Sequence, residues 1–336
     1  MAGELFLDLA SELISSARTA EPSRVLRKIS SGNCENELLF FFKPEVFLPD
    51  AETKQIIDYT FERLSSNGIG ITGATLLSGP ELERLAIMDA HYGYINAMSR
   101  RASTELSESD LSDIRRHFQV GDAVRALGGH EVLSHFPEYS ASSLDKLWAS
   151  KQSVKIRSGL YAEKFELGGT QIIIVNGFHP EQLAYFTQED RKIALLVLQS
   201  NLPWRFLRTR ILGDTFPEKA LPGTLRRQFF DHSSKYGLGQ VSIANNCAHM
   251  SAGPFEAAYE LNNFFGRMNN TGYAAGNTNI AKRVIGSGLA IDQALANPTA
   301  ELNGKVIALF DATEETDTTG AVELFRRKFS ADNMHA

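Results

Sequence analysis

Apolar positions in this chain come in short continuous runs and in helical spacings, and the two kinds alternate. Residues 4 to 18 carry Leu5, Leu7, Leu9, Leu13 and Ile14 in an amphipathic helical pattern. Leu38 to Phe42 is continuously apolar and stops at Lys43-Pro44, which predicts a fully buried strand ended by proline. Pro49-Asp50 opens a helix whose inner face is Ile56, Ile57, Tyr59, Phe61 and Leu64, and Ser65 to Gly68 stops it. A strand over Ile69 to Leu77 and a helix from Pro80 toward His91-Tyr92 follow. Tyr161 to Leu167 and Thr170 to Val175 read as a hairpin joined by Gly168-Gly169. Ile193 to Leu198 is a second buried strand, followed by a basic helix over about Pro203 to Leu212 and a loop rich in proline and glycine. Val241 to Ala244 alternates and predicts a strand leading into His249. Pro254 then starts a helix with Phe255, Ala258, Tyr259, Leu261, Phe264 and Phe265 on its apolar face. Lys305 to Phe310 is a late strand candidate.

With the irregular stretch 100–187 set aside, the order is strand, helix, strand, strand, helix, strand, helix. That order predicts an α+β fold: a ferredoxin-like βαββαβ antiparallel sheet with helices on its faces. The expected organisation is an N-terminal helical extension (1–36), a core (37–99 and 188–268), an inserted subdomain (100–187) and a C-terminal extension (269–336).

Composition narrows the function classes. With 336 residues, 43% of them hydrophobic, the chain can build a substantial core. A net charge of −6 gives no global basic field for nucleic acid, so any phosphate binding must come from a local cluster. Two cysteines, Cys34 and Cys247, are too few for a disulfide framework and fit a reducing, cytoplasmic setting. No apolar run reaches bilayer-spanning length, and Glu4, Asp8 and Glu12 interrupt the N-terminus where a signal peptide would be apolar.

The richest chemistry lies around His249. Asn246, Ser251 and Glu260 flank it, and helix packing can return Glu260 to the imidazole eleven residues after the histidine. A carboxylate there sets the ring tautomer while the other nitrogen attacks. Lys43 at a strand end, the guanidinium forks of Arg208, Arg210 and Arg226, and the Thr215 hydroxyl suit a phosphate chain. His91, His130, His135, His179 and His232 lack metal-ligand spacing and read as structural or solvent-facing.

These segments together resemble the nucleoside diphosphate kinase family. Lys43-Pro44-Glu45 is similar to the family's Lys-Pro-Asp, and His91-Tyr92 to the His-Tyr that ends its next helix. Gly213-x-Thr215-x-Pro217 followed by Pro222-Gly223-Thr224-Leu225-Arg226 matches its phosphate loop without a gap. Asn246, His249 and Ser251 fall at the spacing of its active histidine, and Glu260 at that of its glutamate. The matched stretches cover residues 37–99 and 188–268.

The resemblance implies phosphoryl transfer from a nucleoside triphosphate to a nucleoside diphosphate through phosphohistidine on His249, with Glu260 and Ser251 orienting the ring. It implies that Lys43 and Tyr92 contact the transferring group, that Thr215, Arg226 and Arg208 or Arg210 hold the remaining phosphates, and that Asn246 with Lys43 binds the sugar. It also implies Mg²⁺ held mainly by nucleotide phosphates, and a homo-oligomer. The chain departs from the pattern by a longer stretch between Arg226 and Asn246, by the insertion at 100–187, and at three single positions. Ala252 stands where the family has aspartate, Thr209 where it has an arginine, and Arg100 where a phenylalanine stacks on the base. Those departures motivate a second reading, a nucleotide-binding regulatory or assembly protein with little catalysis.

Overall fold

A computed structural model describes residues 2–17, 23–30, 32–157 and 159–329; the side chains of residues 2–7, Leu5 and Leu7 among them, and residue 18 lie outside the described ones. The chain divides into two compact units, residues 1–81 with 189–336, and residues 82–188. Residues 82–99, expected within the core, group instead with the second unit.

The first unit is built on a five-stranded sheet. Its strands are β1 (Arg24–Arg27), β2 (Asn36–Phe42), β3 (Gly70–Ser78), β4 (Lys192–Ser200) and β5 (Ala248–Met250). Their spatial order is β1-β3-β4-β2-β5, and every neighbouring pair is antiparallel. The runs at Leu38–Phe42 and Ile193–Leu198 form the central pair because both of their faces are covered. Side chains alternate across the sheet. Leu38, Phe40 and Phe42 pack with Ile56, Ile57, Phe61 and Leu64 of the helix Thr53–Ser66. Phe41 points the other way and meets Phe264 of the helix Pro254–Phe265, with ring centroids 5.5 Å apart.

Three sequence expectations need revision. Val241 to Ala244 is not a strand. The chain turns there instead, and the carbonyls of Ile243 and Ala244 accept from the side chains of Asn246 and Lys43 rather than from a neighbouring strand. The basic helix after Pro203 is α-helical only over Trp204–Phe206 and widens to a π-helix over Leu207–Leu212. The late strand stops at Ala308, pairing Lys305–Ala308 with Thr299–Leu302 in a hairpin, and a short helix, Leu309–Ala312, follows.

C-terminal helices Asn279–Gly286 and Thr318–Lys328 gather around Phe255, Phe325 and Phe329 in a separate cluster. No helix among the described residues is long and apolar enough to cross a membrane.

The second unit has a four-stranded sheet in the order Arg125–Gly128, Thr170–Val175, Leu160–Leu167, Val154–Arg157; the first pair is parallel and the others antiparallel. The Gly168-Gly169 hairpin forms as read, with φ of 56° and 74° at its two glycines, the positive pair that a tight two-residue turn requires. Alternation along Thr170–Val175 splits this unit's core. Ile172 and Ile174 join Trp148 and Phe165 on one face, and Ile173 and Val175 join Met98 and Ile114 on the other.

Candidate active site

His249 sits at the middle of the edge strand β5, directly across from Phe41. The two rings stack at 4.6 Å with 20° between their planes, which limits rotation of the imidazole. Nε2 lies 2.7 Å from Oε1 of Glu260. A carboxylate only accepts, so Nε2 carries the proton and the lone pair belongs to Nδ1. Glu260 is 2% exposed, and its other oxygen accepts the hydroxyl of Ser251. Ser251 in turn accepts the N–H of Leu39 at 3.1 Å, which ties the relay to β2. The relay expected between the histidine, the glutamate eleven residues on and the serine is therefore assembled. The histidine side chain remains 20% exposed while its carboxylate partner is enclosed.

Cations converge on the main chain that carries the histidine. Arg226 is buried and donates to the carbonyls of Gly213 (3.2 Å) and Ala248 (3.1 Å). Arg208 donates to the carbonyl of Met250 at 2.6 Å, and the Lys43 ammonium donates to that of Ala244 at 2.8 Å. Among the described residues none of the three has a carboxylate partner. Main-chain carbonyls take their hydrogen bonds, and the nearby carboxylates Glu45 and Asp214 act on Lys43 and Arg226 only through space. Burial pushes the Lys43 ammonium down to about 8, with the charge of Arg226 adding to the effect and that of Glu45 opposing it. Burial, with the charge of Arg208, pushes Arg226 down to about 9. Among the described residues the Arg226 Nε and the Oδ1 of the buried Asn246 have no partner. Unpaired buried polar atoms are costly, and a ligand that supplies partners recovers that cost.

The π-helical turn places the two candidate arginines differently. The N–H of Gly213 reaches back five residues to the carbonyl of Arg208, so the turn is wider than an α-helix. Arg208 reaches the strand that carries His249 and lines a cavity of about 300 Å³ with Thr215, Lys219 and Asp214. Arg210 is exposed and does not line that cavity, while Thr209, at the position of the family's arginine, bonds back to Arg205. Tyr92 belongs to the second unit, where its ring packs edge-on to His179 at 5.5 Å. In that unit Arg100 is bound to Asp89 (2.8 Å) and to Asn96 (3.0 Å).

Several groups at the site were not picked out from the sequence. Glu45 is buried, and its carboxylate accepts the N–H of Cys247 at 2.7 Å. It thereby holds Cys247 at a φ of 65°, a conformation costly for a residue with a side chain. Burial, reinforced by the charge of Glu260, pushes the carboxyl of Glu256 well above the usual carboxylate range. Glu314 and Glu315, from the C-terminal region, line the same cavity as Arg208. Only Glu45 had a signal in the sequence, its place beside Lys43-Pro44.

No family model matches the chain. No curated protein matches it either. Among solved structures it is similar to an NDP kinase from Pyrobaculum aerophilum, at 16% identity over 68% of this chain and 95% of that one, with a TM-score of 0.35. It is also similar to nucleoside diphosphate kinase from Encephalitozoon cuniculi in an apo cubic form, at 13% identity over 69% and 89%, with a TM-score of 0.33. A third is a transition-state mimic of nucleoside-diphosphate kinase from Borrelia burgdorferi with bound vanadate and ADP, at 17% identity over 70% and 89%, with a TM-score of 0.35. Likeness at these values does not establish a shared fold or activity.

Proposed function

We propose that this chain is a phosphotransferase that carries the γ-phosphoryl group of a nucleoside triphosphate on Nδ1 of His249 and passes it to a nucleoside diphosphate. The observation that carries the reading is the set of three cations without carboxylate partners, bonded to the main chain on either side of a histidine whose tautomer a buried carboxylate sets. Such a pocket is prepared for a polyanion. The strand order β3-β4-β2-β5, all antiparallel, agrees with a ferredoxin-like core extended by β1.

The Nδ1 lone pair attacks the γ-phosphorus, the bond to the β-phosphate oxygen breaks, and the diphosphate leaves with that electron pair. An oxygen of the acceptor diphosphate then attacks the phosphohistidine and regenerates the imidazole. The Nε2 proton stays on Glu260's side throughout, and the carboxylate offsets the positive charge that builds on the ring. Lys43, Arg208 and Arg226 neutralise the phosphates in place, which is most of what phosphoryl transfer requires. Thr215 adds a hydroxyl donor, and Asn246 with Lys43 takes the sugar. The carboxylates beside the cavity are oxygen donors of the kind that suit Mg²⁺, which supplies further charge neutralisation when bound with the nucleotide.

The test is turnover. Purified protein with ATP, Mg²⁺ and a second nucleoside diphosphate should yield the second triphosphate with ping-pong kinetics, and His249→Ala should not. Nucleotide binding without turnover would instead favour the regulatory reading.

A further inference from the structure

The C-terminal segment Thr313 to Thr318 runs as a strap along the first unit. The Glu315 N–H donates to the carbonyl of Ala252 at 2.8 Å, in the turn between His249's strand and Glu260's helix. Gly253 permits that approach, because a Cβ there would lie 2.7 Å from the carbonyl oxygen of Thr313. Farther along, one Asp317 oxygen accepts from the Trp204 N–H (2.6 Å) and from the Asn36 amide (2.9 Å). Glu315 adds an ion pair to Arg205 at 3.8 Å. The strap is fixed at both ends, and its adjacent residues Glu314 and Glu315 line one cavity, with the Glu315 carboxylate also paired to Arg205.

That place is the cavity lined by Arg208, Thr215 and Lys219. Asp214 lines it too, although its Oδ1 accepts the N–H of Phe216. A site meant only to attract polyphosphate gains nothing from carboxylates on its wall, since like charges at such separations oppose binding. A cavity lined by both cationic and acidic residues fits a ligand carrying both signs. A polyphosphate complexed with a divalent cation is such a ligand.

Resting on the proposed function, we propose that Glu314 and Glu315 are specificity-determining residues that reject bare polyphosphate and admit its divalent-cation complex. The strap works by repulsion, a common means of discriminating between similar ligands. The carboxylates stand against phosphate charge that the cation has not neutralised, and they attract the cation when it is present.

The test is calorimetric titration of the full chain with ADP, once in excess Mg²⁺ and once in EDTA, for wild type, Glu314→Gln/Glu315→Gln and Glu314→Asp/Glu315→Asp. Wild type should bind the magnesium complex more tightly than free ADP. The glutamine pair should tighten free ADP by about 5- to 20-fold and change the magnesium complex by about 2-fold or less, while the aspartate pair keeps wild-type discrimination. An equal change for both ligands, or none, would overturn the role of the strap while leaving the kinase reading in place. If wild type bound neither ligand, the kinase reading itself would fall, and the strap's role with it. Mn²⁺ in place of Mg²⁺, followed by its electron spin resonance signal, gives a second readout independent of heat. Bound Mn²⁺–ADP should change by about 2-fold or less in the glutamine pair, and a larger loss would overturn the strap's role as a filter against bare polyphosphate.

Discussion

Each unit encloses histidines in side-chain contacts, and the two settings differ in ways that bear on function. In the first unit His249 is partly exposed, hydrogen-bonded to a buried carboxylate, and stands beside cations that lack carboxylate partners. In the second, His179 is fully buried. Its Nε2 lies 3.2 Å from Asn96 Oδ1 and its Nδ1 3.0 Å from Gln182. Its neighbour His130 has Nδ1 2.9 Å from the Ser99 hydroxyl. Burial, with the charges of Arg100 and His179, pushes His130 down to about 4, and burial lowers His179 as well. Burial, with the nearby charge of Arg100, disfavours a charged form of those two rings, against the opposing hydrogen bond from Gln182 to His179. His249 instead has a buried carboxylate as its partner and keeps part of its ring in solvent. The partner and the exposure separate the two cases, and neither can be read from the spacing of histidines along the chain.

The largest expected effect comes from the cations beside His249. Arg226→Met removes charge-assisted bonds and should weaken nucleotide binding by about 10- to 100-fold, measured by titration calorimetry. Equal affinity in this variant would mean that the buried guanidinium only braces the loop between Gly213 and Ala248.

Glu260→Gln keeps the hydrogen bond and deletes the charge. It should slow phosphoryl transfer by about 10- to 100-fold in single-turnover experiments, as for other groups that orient a functional histidine. The same variant should leave nucleotide affinity nearly unchanged, which separates it from the arginine.

Lys43 gives the pH dependence of binding. Phosphate favours the charged ammonium, so binding raises the depressed value near 8 and takes up protons. Affinity should therefore fall as pH rises through about 8, and calorimetry in buffers of different ionisation heat should register the uptake. Lys43→Met should remove both effects.

The smallest effect belongs to the second unit. The His130 pKa in the folded chain lies below its unfolded value of 6.5, so the unfolded chain binds more protons between about 4 and 6.5. Stability of that unit should then drop as pH falls through this window. Hydrogen exchange of the Thr170–Val175 amides should report the drop, and His130→Asn should flatten it. Activity at neutral pH should be indifferent to the same change.

Much of the architecture was legible from local pattern. The run Leu38–Phe42 and its partner near Ile193 could only be strands covered on both faces, and Gly168-Gly169 required a tight hairpin. The relay of His249, Glu260 and Ser251 was legible because a strand followed by a helix returns the glutamate at a fixed spacing. Other features depended on contacts between segments distant in sequence. Four alternating residues at Val241–Ala244 look like a strand, yet the Lys43 ammonium from another element captures the carbonyl of Ala244. The π-helical turn that brings Arg208, and not Arg210, to the cavity leaves no periodicity to detect in six residues. The strap lies in the C-terminal region, where no motif links Glu314 and Glu315 to a cavity formed by residues about a hundred positions earlier. Residues 82–99 carry the family-like His91-Tyr92, and that likeness drew them into the core, but their contacts place them with the second unit.

The most direct test of the central claim is the location of a covalent phosphoryl group. The protein is incubated with ATP and Mg²⁺, analysed intact by mass spectrometry, and mapped by peptide fragmentation under neutral conditions. One acid-labile phosphoryl group on His249, lost when a nucleoside diphosphate is added and absent in His249→Ala, is the predicted result. No adduct, or an adduct that persists in His249→Ala, would contradict the assignment of this histidine as the phosphoryl carrier.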